Sequence, residues 1–288
     1  MKFSLIRSLA AVSLVLWGVN THAANTSILD QVKKNGVVRI GTGNDTPPMS
    51  YIDEQGKWVG FDVDFGNEIA KRLGVRLERV VVNNKTRIAF LANRQIDLAI
   101  SNISRTRSRE EQIDFADPPY LWTAKIFYAK KGAFKSIGDL AGKRIGVNQG
   151  SNAFTAAPQE IAKYSQKAPV MMSFQKNAES FLALKQGKID AFTQDSPIVA
   201  AVAGSEGVNF EAVGAGYSPG LYAIGVPQDD SRWRDAVSNA LQDMMRDGSY
   251  EKLYQHWFGP KGKFPLALNA RPRLPSDAFG DMLMVLPD

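Results

Sequence analysis

The chain predicts an α/β fold built as two lobes of like construction, on three observations. First, two halves of the sequence echo each other. GVVRIGTGND (36–45) is matched by GKRIGVNQGSN (142–152), each a short β-rich run carrying Arg-Ile-Gly and then a small polar loop. LANRQIDLAISN (91–102) is matched by LKQGKIDAFTQD (184–195), each the end of an apolar helix, a turn, then Ile-Asp and a strand. Second, helix patterns lie between these runs, and strands alternating with helices argue for mostly parallel sheets. Third, the chain has 288 residues and no cysteine. That length allows one large domain or two ordinary lobes, and without disulfides each lobe must rest on a hydrophobic core.

The N-terminus reads as a leader. Lys2 and Arg7 form a positive region, Leu9 to Val19 an apolar run, and Thr21-His22-Ala23 a cleavage site of small residues. The apolar run is too short for a bilayer, which takes about 20 residues. The expectation is a signal peptide over 1–23, cut after Ala23, and a freely diffusing product in the periplasm. The first helix pattern is GFDVDFGNEIAKRLG (60–74), with Asp62 as N-cap, Phe65, Ile69 and Leu73 four apart, and Gly74 as the stop. AESFLALKQG (178–187) is a second helix, and 231–258 reads as two helices broken at Asp247-Gly248. LWTAKIFYAKKG (121–132) and GLYAIGVPQDD (220–230) alternate apolar and polar residues and read as extended crossings between lobes. The expected division is 24–122 with 224–288 as lobe one and 123–223 as lobe two. A proline-rich tail (260–288) should lie extended over lobe one, since proline excludes long helix.

Charge and composition exclude several functions. The formal charge of +6 includes Lys2 and Arg7, which leave with the leader. The remaining bases are interleaved with acids, so nothing marks a nucleic-acid surface. Only two histidines are present, and His22 is lost with the leader. No Cys/His zinc site can be assembled, and His256 reads as a helix-end histidine beside Trp257 and Phe258. No metal, no cofactor and no catalysis are expected.

Polar residues at strand ends are where open α/β sheets bind ligands. Here these ends are TGNDTPP, SNISRT, NQGSN and TQDSP, two polar rims that would face each other across a cleft. SNISRTRSREEQIDFADPPY (101–120) crowds Arg105, Arg107 and Arg109 behind Asn102 and Ser104. Thr106 sits at a helix N-cap position, so Arg107 and Arg109 fall in a first turn, where cations oppose the dipole unless an anion binds. From charge alone, three solvated arginines balanced by Glu110 and Glu111 are the plainer reading.

GTGNDTPPMSYIDEQGKWVGFDVDFGNEIA, NKTRIAFLANRQIDLAI, SRTRSREEQIDFADPPY and a late WFG together resemble the family 3 extracellular solute-binding proteins of amino-acid ABC transporters. The match runs from about Ile28 to Gly259. The resemblance implies the two-lobed periplasmic-binding-protein fold (type II), with the ligand in the inter-lobe cleft. It also implies an L-amino-acid ligand, polar or acidic, delivered by a monomer to an ABC permease. It assigns Arg109, five before Asp114, to the ligand α-carboxylate, with Asn102 and Ser104 completing that shell; relatives often carry threonine at position 104. It assigns Asp195 to the ammonium, although an aspartate before Ser-Pro is also a good N-cap. Ser151 and Asn152 would touch the carboxylate from lobe two, and Arg87 would line the side-chain pocket. Gly43 departs from the pattern, because acidic binders of this type usually carry a base there. The rivals are a dehydratase-like enzyme on the same scaffold, with Asp195 or Asp45 moving the proton, and a soluble sensor for a receptor.

Overall fold

The computed structural model describes residues 26–204 and 208–266, so the leader and the end of the proline-rich tail lie outside the described residues. The first sheet is centred on Val37–Thr42, which pairs in parallel with Arg76–Val81 on one side and Leu98–Ala99 on the other. Gly225–Val226 and Asp114–Phe115 complete it, with Gly225–Val226 antiparallel to both of its neighbours. Its core gathers Phe61, Phe65, Tyr120, Tyr222, Trp233 and Trp257, all fully or nearly fully buried.

The helix Phe61–Leu73 ends as its sequence predicts, with Gly74 in the left-handed conformation (φ 70°). Its start differs. The N-cap is Gly60, at φ 139°, where an added Cβ would lie 2.2 Å from the carbonyl oxygen of Met49. Only glycine fits there, so the helix opens two residues earlier than expected and Asp62 moves inside it. The two late helices are Ser231–Arg246 and Ser249–Phe258, broken around Asp247-Gly248 as read.

The second sheet orders its strands Val170–Phe174, Arg144–Asn148, Ala191–Asp195, Leu121–Lys130 and Phe210–Ala212, and Tyr217–Tyr222 also pairs with Leu121–Lys130. The first three run parallel. Leu121–Lys130 is antiparallel to all of its partners, so this sheet is mixed rather than mostly parallel. The cause is connectivity. A parallel neighbour needs a crossover helix, whereas Leu121–Lys130 enters directly from the first sheet as one of the expected crossings. Tyr222, at the end of the returning strand, bridges back to Ser104, which places the ends of the first sheet's polar loop at the junction.

The sequence echo has a physical basis. Arg39 donates to Asp97 from its backbone N–H (2.8 Å), its Nε (3.2 Å) and its Nη2 (2.6 Å). Arg144 does the same to Asp190, at 2.8, 3.1 and 2.8 Å. In each lobe one Arg–Asp clamp staples neighbouring parallel strands at their entry. Among the described residues no helix is long and apolar enough to cross a membrane.

Candidate functional site

Asn102 turns the chain just beyond Leu98–Ala99 in the left-handed conformation (φ 42°), which asparagine tolerates better than most residues. That turn aims its N–H at Asp62 Oδ2 (2.7 Å) and its carbonyl at Arg87 Nη1 (3.3 Å). Arg87 Nη1 also donates to the carbonyl of Ser101. Arg87 opens the helix Arg87–Ala92 and is 2% exposed, so it is no surface arginine. Its Nε is buried without an acceptor. Burial, and then the like charge of Arg109, pull its guanidinium down to about 9, still cationic at neutral pH.

Asp62 is fully buried and accepts from Asn102 N–H and from Tyr120 Oη at 3.0 Å. Burial raises its carboxyl to about 7 against those hydrogen bonds and the field of Arg87.

The arginine stretch forms a single turn, Arg107–Glu110, after Thr106. One turn carries little dipole, so an anion there would be held by the guanidinium rather than by the helix end. Arg109 reaches back and donates from Nη1 to the carbonyl of Ser104 at 2.6 Å. Burial lowers its pKa, opposed by Asp195 and Tyr222. Arg105 is engaged outside, with Glu110 (2.6 Å) and Asp117 (2.7 Å), and Arg107 is exposed. The structure therefore separates the three arginines, and only Arg109 turns inward.

Asp195 ends the strand Ala191–Asp195 and precedes the helix Ser196–Ala203. Its side chain makes no capping bond, contrary to the N-cap reading. Instead Oδ1 accepts from Lys125 Nζ at 2.9 Å and Oδ2 from Tyr222 Oη at 2.7 Å. The Lys125 and Asp195 side chains are only 2% and 5% exposed. Removing one partner of a pair this buried typically costs about 3–5 kcal/mol, because the other charge is left alone.

Ser151 and Asn152 stand apart from this network. Ser151 Oγ accepts from the Ala153 N–H at 3.2 Å, so its hydroxyl is engaged at the entry of its own helix. Both residues line a groove of about 620 Å³ together with Thr106, Ser108, Arg109 and Ser218. The groove thus joins the arginine turn to the loop after Arg144–Asn148. Of the seven residues singled out in the sequence, five fall in three hydrogen-bonded sets at the strand ends, Arg87 with Asn102, Arg109 with Ser104, and Asp195 with Lys125 and Tyr222, while Ser151 and Asn152 share only the groove with Arg109. Lys125, Tyr222 and Tyr120 belong to the cluster and were not foreseen. Lys125 left a signal, since it falls in phase with Leu121, Thr123, Phe127 and Ala129, the inward residues of an alternating strand. No group of three or more His, Cys, Asp or Glu side chains fit to hold a metal ion occurs among the described residues.

A two-lobed α/β protein with a charged polar cluster at the strand ends between its sheets is a solute-binding protein of the periplasmic type. The chain belongs to the bacterial extracellular solute-binding proteins, family 3, whose model matches residues 38–260. It is 30% identical over 265 residues to the lysine/arginine/ornithine-binding periplasmic protein of Escherichia coli K12, covering 88% of this chain and 96% of that one. An ancestral arginine-binding protein solved with arginine superposes with a TM-score of 0.71 at 34% identity, covering 78% of this chain and 99% of that one. The ancestral amino acid-binding protein AncCDT-1, a precursor of cyclohexadienyl dehydratase, gives 0.70 at 29% identity, covering 80% of this chain and 99% of that one.

Proposed function

We propose that the protein captures an L-amino acid with a polar or acidic side chain in the periplasm and, as a monomer, delivers it to the permease of an ABC transporter. One observation carries this reading: Arg109 and Arg87 converge with Asp195 where the strand ends of the two sheets meet. A guanidinium matches a carboxylate bidentately, so Arg109 holds the α-carboxylate, with Asn102 and Ser104 shaping its shell. Asp195, fixed by Lys125 and Tyr222, faces the ammonium. Arg87 borders the side chain, and Ser151 and Asn152 arrive with lobe two when the hinge closes. Among the described residues, 26–122 and 224–266 move against 123–204 and 208–223.

The relatives named for lysine, arginine and ornithine support an amino-acid ligand. Binding without turnover is supported by the state of Asp195, whose two oxygens accept from Lys125 and Tyr222, so it is not poised as a free base over a ligand.

The test is a thermal-shift screen of the twenty amino acids on protein stripped of retained ligand by unfolding and refolding. A true ligand at a hundredfold over its Kd adds about 2.7 kcal/mol of stability. No shift with any of the twenty would overturn the reading, and turnover of a bound compound would move it to the dehydratase class.

A further inference from the structure

We propose that the solute enters this site as a net anion, an amino acid whose side chain carries its own acidic group, and that Lys125 is the residue that imposes this charge. The proposal rests on the amino-acid reading for the ammonium alone; the charge argument stands apart from it.

The buried charges around the site do not balance. Arg87 and Arg109 come close enough for each other's field to matter, yet neither has an ion-pair partner among the described residues. Asp195 acts on both by its field, and Lys125 already neutralises it at 2.9 Å. Asp62 compensates Arg87 only in part, because burial holds its carboxyl near neutral pH. Two guanidiniums therefore share a desolvated cluster with less than one free negative charge. Arg87 Nε, buried without an acceptor, is the local sign of that deficit.

A cationic amino acid would add to the surplus. A zwitterion with a neutral side chain would leave it unchanged. An acidic amino acid brings two carboxylates, one for each guanidinium, and reduces it. Without Lys125, Asp195 would cancel one guanidinium and the requirement would fall by one unit of charge. Lys125 thus acts on specificity through the balance of the cluster.

Calorimetry on the stripped protein with glutamate, aspartate, glutamine, asparagine, arginine, succinate and 2-oxoglutarate tests this. Glutamate or aspartate should bind at least tenfold tighter than its amide, and arginine should not saturate. Glutamine tighter than glutamate, or arginine tighter than either, would overturn the charge assignment while leaving an amino-acid-binding protein. Binding of succinate or 2-oxoglutarate with no amino acid would keep the charge assignment and sink the amino-acid reading. Lys125→Met should narrow the acid-to-amide ratio at least tenfold, and Lys125→Arg should preserve it. An unchanged ratio in a folded Lys125→Met protein would remove Lys125 from the proposal. If that variant does not fold, the wild-type panel still decides on the net anion, and Lys125→Gln, which can still donate to Asp195 without the charge, decides on Lys125 by the same ratio.

Discussion

Asn84 Nδ2 donates to Asn148 Oδ1 at 3.0 Å, tying the loop before Arg87 to the end of the strand Arg144–Asn148 in the other sheet. Next to that bond, Gly150 sits at φ 77°, and a Cβ added there would lie 2.8 Å from the backbone carbon and oxygen of Asn84. The two lobes meet backbone to backbone at this point, and a methyl group is enough to hold them apart. Gly150→Ala should keep the radius of gyration of the ligand-free protein when ligand is added, whereas the wild type contracts. Its affinity should drop at least tenfold. Left-handed strain of about 1–2 kcal/mol lowers the melting temperature with or without ligand, so scattering is the readout. A variant that contracts like the wild type would show that closure does not run through this contact.

Arg109 and Arg105 make a sharper contrast. Arg109→Ala removes one side of a desolvated charge pair, a loss of about 2–5 kcal/mol, and should weaken binding at least thirtyfold. Arg105→Ala breaks exposed pairs with Glu110 and Asp117, each worth about 0–1 kcal/mol, and should leave affinity within about twofold. Arg107→Ala should do the same. Equal losses at all three positions by calorimetry would return the stretch to a diffuse basic patch.

Asp62 predicts a pH dependence of stability. Its folded-state carboxyl lies near 7, above its unfolded value of 3.8. Between these values the folded protein holds a proton that the unfolded chain releases, so stability falls as pH rises through this window. The slope is at most about 1.4 kcal/mol per pH unit. Asp62→Asn removes the titration and can still accept from Asn102 N–H. Its stability relative to wild type should therefore rise from pH 4 to pH 7 and level off above. Parallel urea-unfolding curves at all pH values would refute the raised carboxyl.

Much of this arrangement was legible in the residues, and the failures have definite causes. The echo RIG…IDLA and RIG…IDAF pointed to two like lobes because the same Arg–Asp clamp is built twice, Arg39 with Asp97 and Arg144 with Asp190. Asp62 was misplaced because capping preference is a local rule, whereas the helix start is set by the close approach of Gly60 to Met49, eleven residues upstream. The inward turn of Arg109 and the outward turns of Arg105 and Arg107 depend on which carbonyls and carboxylates surround them in space. Charge and spacing could not distinguish the three. Lys125 was overlooked for a different reason. Alternation marks Lys125 as an inward residue of its strand, but the partner that its buried charge requires, Asp195, lies 70 residues further along the chain.

Position 43 offers a gain-of-function test. A Cβ on Gly43 would meet nothing nearer than Ser101 Oγ at 3.7 Å and the Val82 carbonyl at 3.8 Å, and its φ is not left-handed, so a side chain fits. The carbonyl of that same Ser101 accepts from Arg87, so position 43 and the guanidinium that borders the ligand side chain share a neighbour. A pair at an effective dielectric of about 20 is worth up to about 4 kcal/mol at contact, before desolvation and ordering of the lysine. Allowing for those costs, Gly43→Lys should raise the preference for glutamate over glutamine, or aspartate over asparagine, by about tenfold. Paired thermal-shift titrations of wild type and variant measure the ratio directly. The variant should also bind arginine no better than wild type, since it adds a like charge. A ratio that stays the same would mean that position 43 does not face the solute. A wild type stabilised by lysine and arginine alone would remove Arg87 from the pocket, because its buried cation would repel them.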